Sequence, residues 1–235
     1  MKAYGVKDRW MKACLLLILA FFFFVGEIPA VQAANDIKIE RIYGSDRYLT
    51  AIEISKSGWD KAETVVVATG EDYADALAGA PLAYYYNAPI LLTRPNELRE
   101  ELRGKIKRLE AKKVIILGGE AAVSSQVEQA LDQLEGVQEV VRIGGGDRYE
   151  TAVKVAGHLP LVSGAVLAYG RDFPDALSIA PQAARQGMPI FLTDGKTVDS
   201  ASLAMLVQYQ RIYLIGGKSV IPQDVEYQLV NQGLQ

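Results

Sequence analysis

Along the chain, short runs of β-branched and other apolar residues alternate with longer stretches whose apolar positions recur at helical spacing. Thr64 to Ala68, Ile90 to Leu92 and Val114 to Leu117 are runs of the first kind, each closed by Gly or Thr; Leu98, Leu102, Ile106 and Leu109 mark a stretch of the second kind. A run that is apolar at every position fits a strand covered on both faces, and its alternation with helices predicts a parallel sheet in an α/β fold. The pattern predicts two small doubly wound units of about four strands each. The first spans about 41–141 and the second 142–235, with Val137 to Ile143 a strand that leads across the junction.

The division into two units follows from internal repetition. Arg41-Ile-Tyr-Gly-Ser-Asp-Arg-Tyr-Leu-Thr-Ala51 returns as Arg142-Ile-Gly-Gly-Gly-Asp-Arg-Tyr-Glu-Thr-Ala152. Ala68-Thr-Gly-Glu-Asp-Tyr-Ala-Asp-Ala-Leu77 returns as Ala168-Tyr-Gly-Arg-Asp-Phe-Pro-Asp-Ala-Leu177, Pro89–Thr93 as Pro189–Thr193, and Val114–Gly119 as Ile212–Gly217. Four blocks in one order at nearly constant spacing are a duplication.

One block stands outside this pattern. Cys14 to Val25 reads CLLLILAFFFFV, follows Lys2, Lys7, Arg9 and Lys12, and contains the only cysteine. It is shorter than the roughly 20 apolar residues of a membrane-spanning helix, so residues 1–33 are expected to be a secretory signal peptide cleaved after Val31-Gln-Ala33, with 34–40 a short leader. Cleavage would remove four bases and two acids and move the formal net charge from −3 to −5. An acidic exported chain without cysteine is not expected to bind nucleic acid, to span a membrane or to depend on disulfides.

The repeated polar residues are the candidate chemistry. Asp46 and Asp147 stand where a strand end turns into a helix and are suited to cap its first amides. Arg47 and Arg148 oppose the dipole of that helix start, which calls for an acidic partner nearby or an anionic ligand beyond the strand ends. Asp72 with Asp75, and Asp172 with Asp175, place two carboxylates three residues apart at another strand-to-helix turn. Such pairs suit glycosidases and metal sites, but also a helix cap plus a partner for an arginine, and the second use is preferred here. The Pro89–Thr93 and Pro189–Thr193 segments are expected to be central buried strands. The basic stretch Arg94 to Lys113 holds eight bases against four acids with no equivalent in the second repeat, which predicts a solvated helix face. Gly144-Gly145-Gly146 lacks the spacing of a nucleotide-binding loop. The lone histidine, His158, aligns with Ser57, so no duplicated catalytic group, metal site or cofactor site is expected. Two copies of one surface suit a multivalent binder instead.

These four blocks resemble the cell wall binding repeat type 2 family of Gram-positive surface proteins, autolysins and amidase modifiers. The resemblance implies two tandem Toprim-like modules with mainly parallel sheets, and a secreted, non-catalytic protein held on the wall or cell surface by non-covalent binding to an anionic wall polymer. Action as the modifier of a separate N-acetylmuramoyl-L-alanine amidase is the alternative, with wall hydrolysis by the chain itself a more distant one. The family positions matched here are Arg41, Asp46, Arg47, Tyr48, Thr50 and Asp75, with Arg142, Asp147, Arg148, Tyr149, Thr151 and Asp175; all but the two threonines are taken as ligand-binding candidates. Two departures stand out: the family usually carries three repeats, and Tyr43 replaces a glycine. Self-association that completes a three-repeat assembly is the resulting expectation.

Overall fold

The computed structural model describes residues 38–233, so the expected signal peptide, 1–33, lies outside the described residues. Residues from Ile42 onward form one body that holds both repeats. In the first repeat, β1 (Thr64–Thr69), β2 (Ile90–Thr93), β3 (Lys113–Leu117) and β4 (Glu139–Ile143) form a parallel sheet in the order β2-β1-β3-β4. In the second, β5 (Gly164–Tyr169), β6 (Ile190–Thr193) and β7 (Arg211–Ile215) form a parallel sheet in the order β6-β5-β7. Every residue of β1 is buried, as its unbroken Thr-Val-Val-Val-Ala-Thr run requires.

Nine helices among the described residues cover these sheets: α1 (Arg47–Gly58), α2 (Ala74–Ala78), α3 (Ala80–Tyr85), α4 (Glu100–Arg108), α5 (Ser125–Asp132), α6 (Arg148–Gly157), α7 (Pro174–Gln186), α8 (Ser200–Leu206) and α9 (Gln223–Asn231). None is long and apolar enough to cross a membrane. Asp46 and Asp147 are the N-caps of α1 and α6, each accepting a hydrogen bond at 2.8 Å from the third amide beyond it, Leu49 and Glu150. Where the second repeat has the single helix α7, the first is interrupted between α2 and α3 at Gly79, a position where a Cβ would run into the Leu117 side chain.

The structure differs from expectation in two ways. The Pro-Ile-Leu/Phe-Leu-Thr segments form β2 and β6, which are edge strands rather than central ones; helices cover them, so their burial does not reveal their place in the sheet. The strand count is also unequal. β4 leads into α6 of the second repeat but pairs with β3 of the first sheet, from Lys113 opposite Glu139 to Leu117 opposite Ile143.

The repeats therefore interlock. Ile143 and Val155 of α6 share a core with Val66, Leu82, Ile115 and Leu117 of the first repeat. In return, Ala74 and Ala78 of α2 pack with Val166, Ala176 and Ala180 of the second.

Candidate functional site

In each sheet the chain runs outward one way to β2 or β6 and then returns to the other side of the central strand. That reversal leaves a crevice beyond the C-terminal ends of β1 and β3, and of β5 and β7, where open α/β sheets hold ligands. At the first crevice a cleft of about 520 Å³ opens between the repeats. Its floor comes from the strand ends of repeat 1 and its far wall from the Gly145–Arg148 start of α6.

The cleft is acidic. Glu71, Asp72, Asp75, Glu120 and Asp147 line it against a single cation, Arg148. Asp72, just before the Tyr73 N-cap of α2, accepts from the Ala74 amide at 2.9 Å and binds the Arg148 guanidinium at 2.7 Å. Asp75 sits deeper. Burial pushes its carboxyl above the usual range and Asp72 adds to this, while Thr151 and Arg148 pull it back. Of the expected cap plus arginine partner, Asp72 supplies the arginine partner and a bond to the first amide of α2, whose N-cap is Tyr73, and Asp75 is the buried member. Among the described residues no group of three or more acidic, histidine or cysteine side chains is arranged to hold a metal ion.

The motif arginines act as struts. Arg47 donates to the Gly70 carbonyl at 2.6 Å, and Arg148 to the Gly170 carbonyl at 2.7 Å, each tying a helix start to the loop after the central strand of its own repeat. Arg148 also crosses to Asp72 and lies over the Tyr73 ring at 5.7 Å, so it joins the repeats as well. Arg142 likewise bridges β4 to the first repeat, through Glu128 at 2.7 Å and the Gly118 carbonyl at 2.9 Å. Arg41, its counterpart, is exposed.

The remaining candidates divide between the repeats. Tyr48 packs on Gly70 beneath Arg94 and Arg99, whose guanidinium carbons lie 5.9 and 5.6 Å from its ring. The Leu49 amide first, and then Arg99, which binds Asp46 at 2.6 Å, hold that carboxyl below its usual range. Tyr149 lines a smaller pocket of about 240 Å³ with Arg171 and Asp194. Asp175 faces Gly216 at the second crevice as Asp75 faces Gly118 at the first. The structure thus brings Asp75, Asp147 and Arg148 together, and leaves Asp46, Arg47 and Tyr48 as a separate group on repeat 1.

The second crevice carries a different set of charges. Arg171 and Lys218 stand where the first has Glu71 and Glu120, and Lys196 lies on the loop after β6; all three are exposed and share the crevice with Asp172, Asp175 and Asp194, the last of which stands where repeat 1 has Arg94. Arg171 is only loosely held, 3.6 Å from Asp194. None of the three cations was a sequence candidate. The signal for them was present all the same, in the positions inside the matched blocks where the two copies disagree in charge.

Known proteins are similar to this chain in sequence and fold. The cell wall binding domain 2 (CWB2) profile matches residues 41–128 and 142–226. The chain is 38% identical over 191 residues to the N-acetylmuramoyl-L-alanine amidase LytC of Bacillus subtilis, a match that covers 81% of this chain and 38% of that protein. It is 33% identical over 199 residues to the amidase enhancer of the same organism, covering 85% of this chain and 27% of that protein. It therefore spans well under half of the curated relatives it matches. The structure of Cwp8 from Clostridium difficile superposes with a TM-score of 0.77 at 35% identity, covering 83% of this chain and 34% of that one. With two matched segments that take in most of its length, the chain belongs to the cell wall binding domain 2 (CWB2) family.

Proposed function

We propose that this protein is a non-catalytic wall-attachment module that binds an anionic wall polymer at the strand ends of its second repeat. The observation that carries this is the charge exchange between the two crevices: Arg171 and Lys218 replace Glu71 and Glu120, with Lys196 beside them. A polymer of repeating acidic groups is drawn to such a cluster and excluded from the carboxylate-lined cleft of repeat 1. That first cleft suits the hydroxyl or ammonium groups of a sugar. Arg47, whose guanidinium is exposed beyond its one bond to Gly70, adds a cation on repeat 1. Localisation at the cell wall or cell surface follows from this role.

Co-sedimentation with purified walls tests the proposal. Binding should fall at least about tenfold when the acidic polymers are stripped from the walls, and should weaken as salt is raised. Binding equal on intact and stripped walls would exclude an anionic target. Similarity to an amidase enhancer favours a second reading, in which the same attachment brings the chain to a separate wall amidase. Stimulation of such an amidase by added chain is its test.

A further inference from the structure

The two repeats surround the tyrosine of the duplicated motif with opposite charges. In repeat 1 the Tyr48 ring packs on Gly70 and carries the guanidinium groups of Arg94 and Arg99. The Asp46 carboxylate holds Arg99 in that place at 2.6 Å. In repeat 2 the Tyr149 ring packs on Gly170 in the same manner, but Asp194 and Asp199 stand at the positions of Arg94 and Arg99. The backbone places them alike, since Arg99 is the N-cap of α4 and Asp199 the N-cap of the equivalent α8. Two cations have become two carboxylates.

The exchange leaves space and unpaired negative charge together. Asp194 and Asp199 line the pocket of about 240 Å³ beside Tyr149. Asp199 accepts from the Ser202 amide at 2.9 Å through Oδ1, while its Oδ2 is buried with no hydrogen-bond partner. A buried carboxylate oxygen left in that state is costly unless a donor reaches it. Asp147, the counterpart of Asp46, caps α6 through Oδ1. Its Oδ2, equivalent to the Asp46 oxygen that holds Arg99, has no hydrogen-bond donor among the described residues. Arg171 is the cation that lines the pocket, and it faces Asp194 at 3.6 Å and the Tyr149 hydroxyl edge. Among the described residues no cation lies over the face of the Tyr149 ring. Repeat 2 thus keeps the ring and the carboxylate of the repeat 1 arginine site, adds two carboxylates, and lacks the arginine.

We propose that this pocket takes a primary ammonium group of the wall ligand, seated over Tyr149 and against Asp199 where repeat 1 seats its own Arg99. A cation is drawn to the face of such a ring and forms strong hydrogen bonds to a buried carboxylate. Amino groups are the cations that a saccharide polymer can offer. The neighbouring charges favour a ligand of both signs: Arg171 and Lys218 repel a lone cation but attract one tethered to acidic groups. That the ammonium belongs to the wall polymer rests on the wall-binding proposal; the pocket's preference for a cation does not.

Amide NMR of the chain titrated with ethylammonium, without walls, tests the pocket by itself. Saturable shifts are expected at the amides of Asp194 to Ser202, with a Kd on the order of 1–10 mM, and none at the equivalent amides of repeat 1, where Arg99 holds the place. The uncharged N-ethylacetamide should give none in either repeat. Asp199→Asn, which can still cap α8, should weaken binding about tenfold, and Asp199→Arg, which rebuilds the repeat 1 arrangement, should abolish it. The Arg171→Glu with Lys218→Glu variant should bind ethylammonium at least as tightly as the parent, so a failure of the anion site and a failure of this pocket are distinguishable. Walls with acetylated amines supply the second arm. Acetylation makes the wall more negative, which by charge alone raises attachment, so a fall of about threefold for the parent, absent in Asp199→Asn, is the expected signature. Equal ethylammonium shifts in both repeats, or binding that survives Asp199→Arg, would overturn the pocket. Parent attachment that is unchanged or raised on acetylated walls would overturn the assignment of its ammonium to the polymer.

Discussion

The two repeats carry the same motif in two settings, and the difference separates what the motif builds from what it binds. In the second repeat the Arg-Tyr helix start is docked: Arg148 reaches both the Gly170 carbonyl and Asp72 across the junction, and Gly144 lies against the Gly118 backbone. In the first repeat the same start is open: Arg47 makes only the bond to Gly70, and Tyr43 stands where the glycine would be. Residues common to both copies therefore serve the helix cap, the strut and the junction, which every repeat needs. Recognition is free to reside where the copies differ, and two full reversals of charge, Glu71 against Arg171 and Glu120 against Lys218, lie at the two crevices.

The largest expected break in this comparison is Gly144→Tyr, which gives the second repeat the residue of the first. With no room for a Cβ against the Gly118 carbonyl, the variant should lose at least about 3 kcal/mol of unfolding free energy, read from a denaturant titration. A variant as stable as the parent would show that the junction is looser than its packing indicates.

Arg148→Ala comes next. It removes an ion pair and a bond to a carbonyl, and should cost about 2 kcal/mol, whereas Arg47→Ala, which removes one carbonyl bond, should cost about 1 kcal/mol. Equal losses would mean that the bridge to Asp72 adds nothing.

A third comparison concerns Lys105 on α4, whose counterpart on α8 is Met205. The Lys105 side chain is 3% exposed, its Nζ has no hydrogen-bond partner, and burial lowers its pKa to about 8. Below pH 8 the folded chain carries this buried charge at full cost. Between about 8 and 10.5 the unfolded chain holds a proton that the folded chain does not, so stability rises with pH through that range. Lys105→Met should therefore stabilise by about 1–2 kcal/mol at pH 7, a gain that shrinks as pH rises from 8 towards 10.5. Thermal melts of the two proteins across that range give the difference directly, and a gain independent of pH would contradict the cause.

Much of this fold was legible in the sequence because a buried parallel strand leaves a dense local mark. Thr64 to Ala68 and Val114 to Leu117 fall inside β1 and β3, and Asp46 and Asp147 cap the predicted helices. Position within the sheet was not legible. An edge strand covered by helices is as apolar as a central one, which is why β2 and β6 read as central. Lys105 shows a second limit: a charge run fixes composition but not which side chain faces inward, and α1 packs over this one. The candidate site was legible only in part, because matched residues draw attention to what the copies share. Glu71 against Arg171 and Glu120 against Lys218 are visible only when the same blocks are compared for disagreement.

The most direct measurement is the fraction of chain retained on intact walls for the parent and for Arg171→Glu with Lys218→Glu, a pair that gives the second crevice the charge of the first. Since repeat 1 carries carboxylates at both positions, the double variant should fold with an unchanged melting temperature. Attachment through this crevice predicts that it loses at least about tenfold in wall affinity. Retention equal to that of the parent, with the melt unchanged, would contradict the assignment of polymer binding to the second repeat.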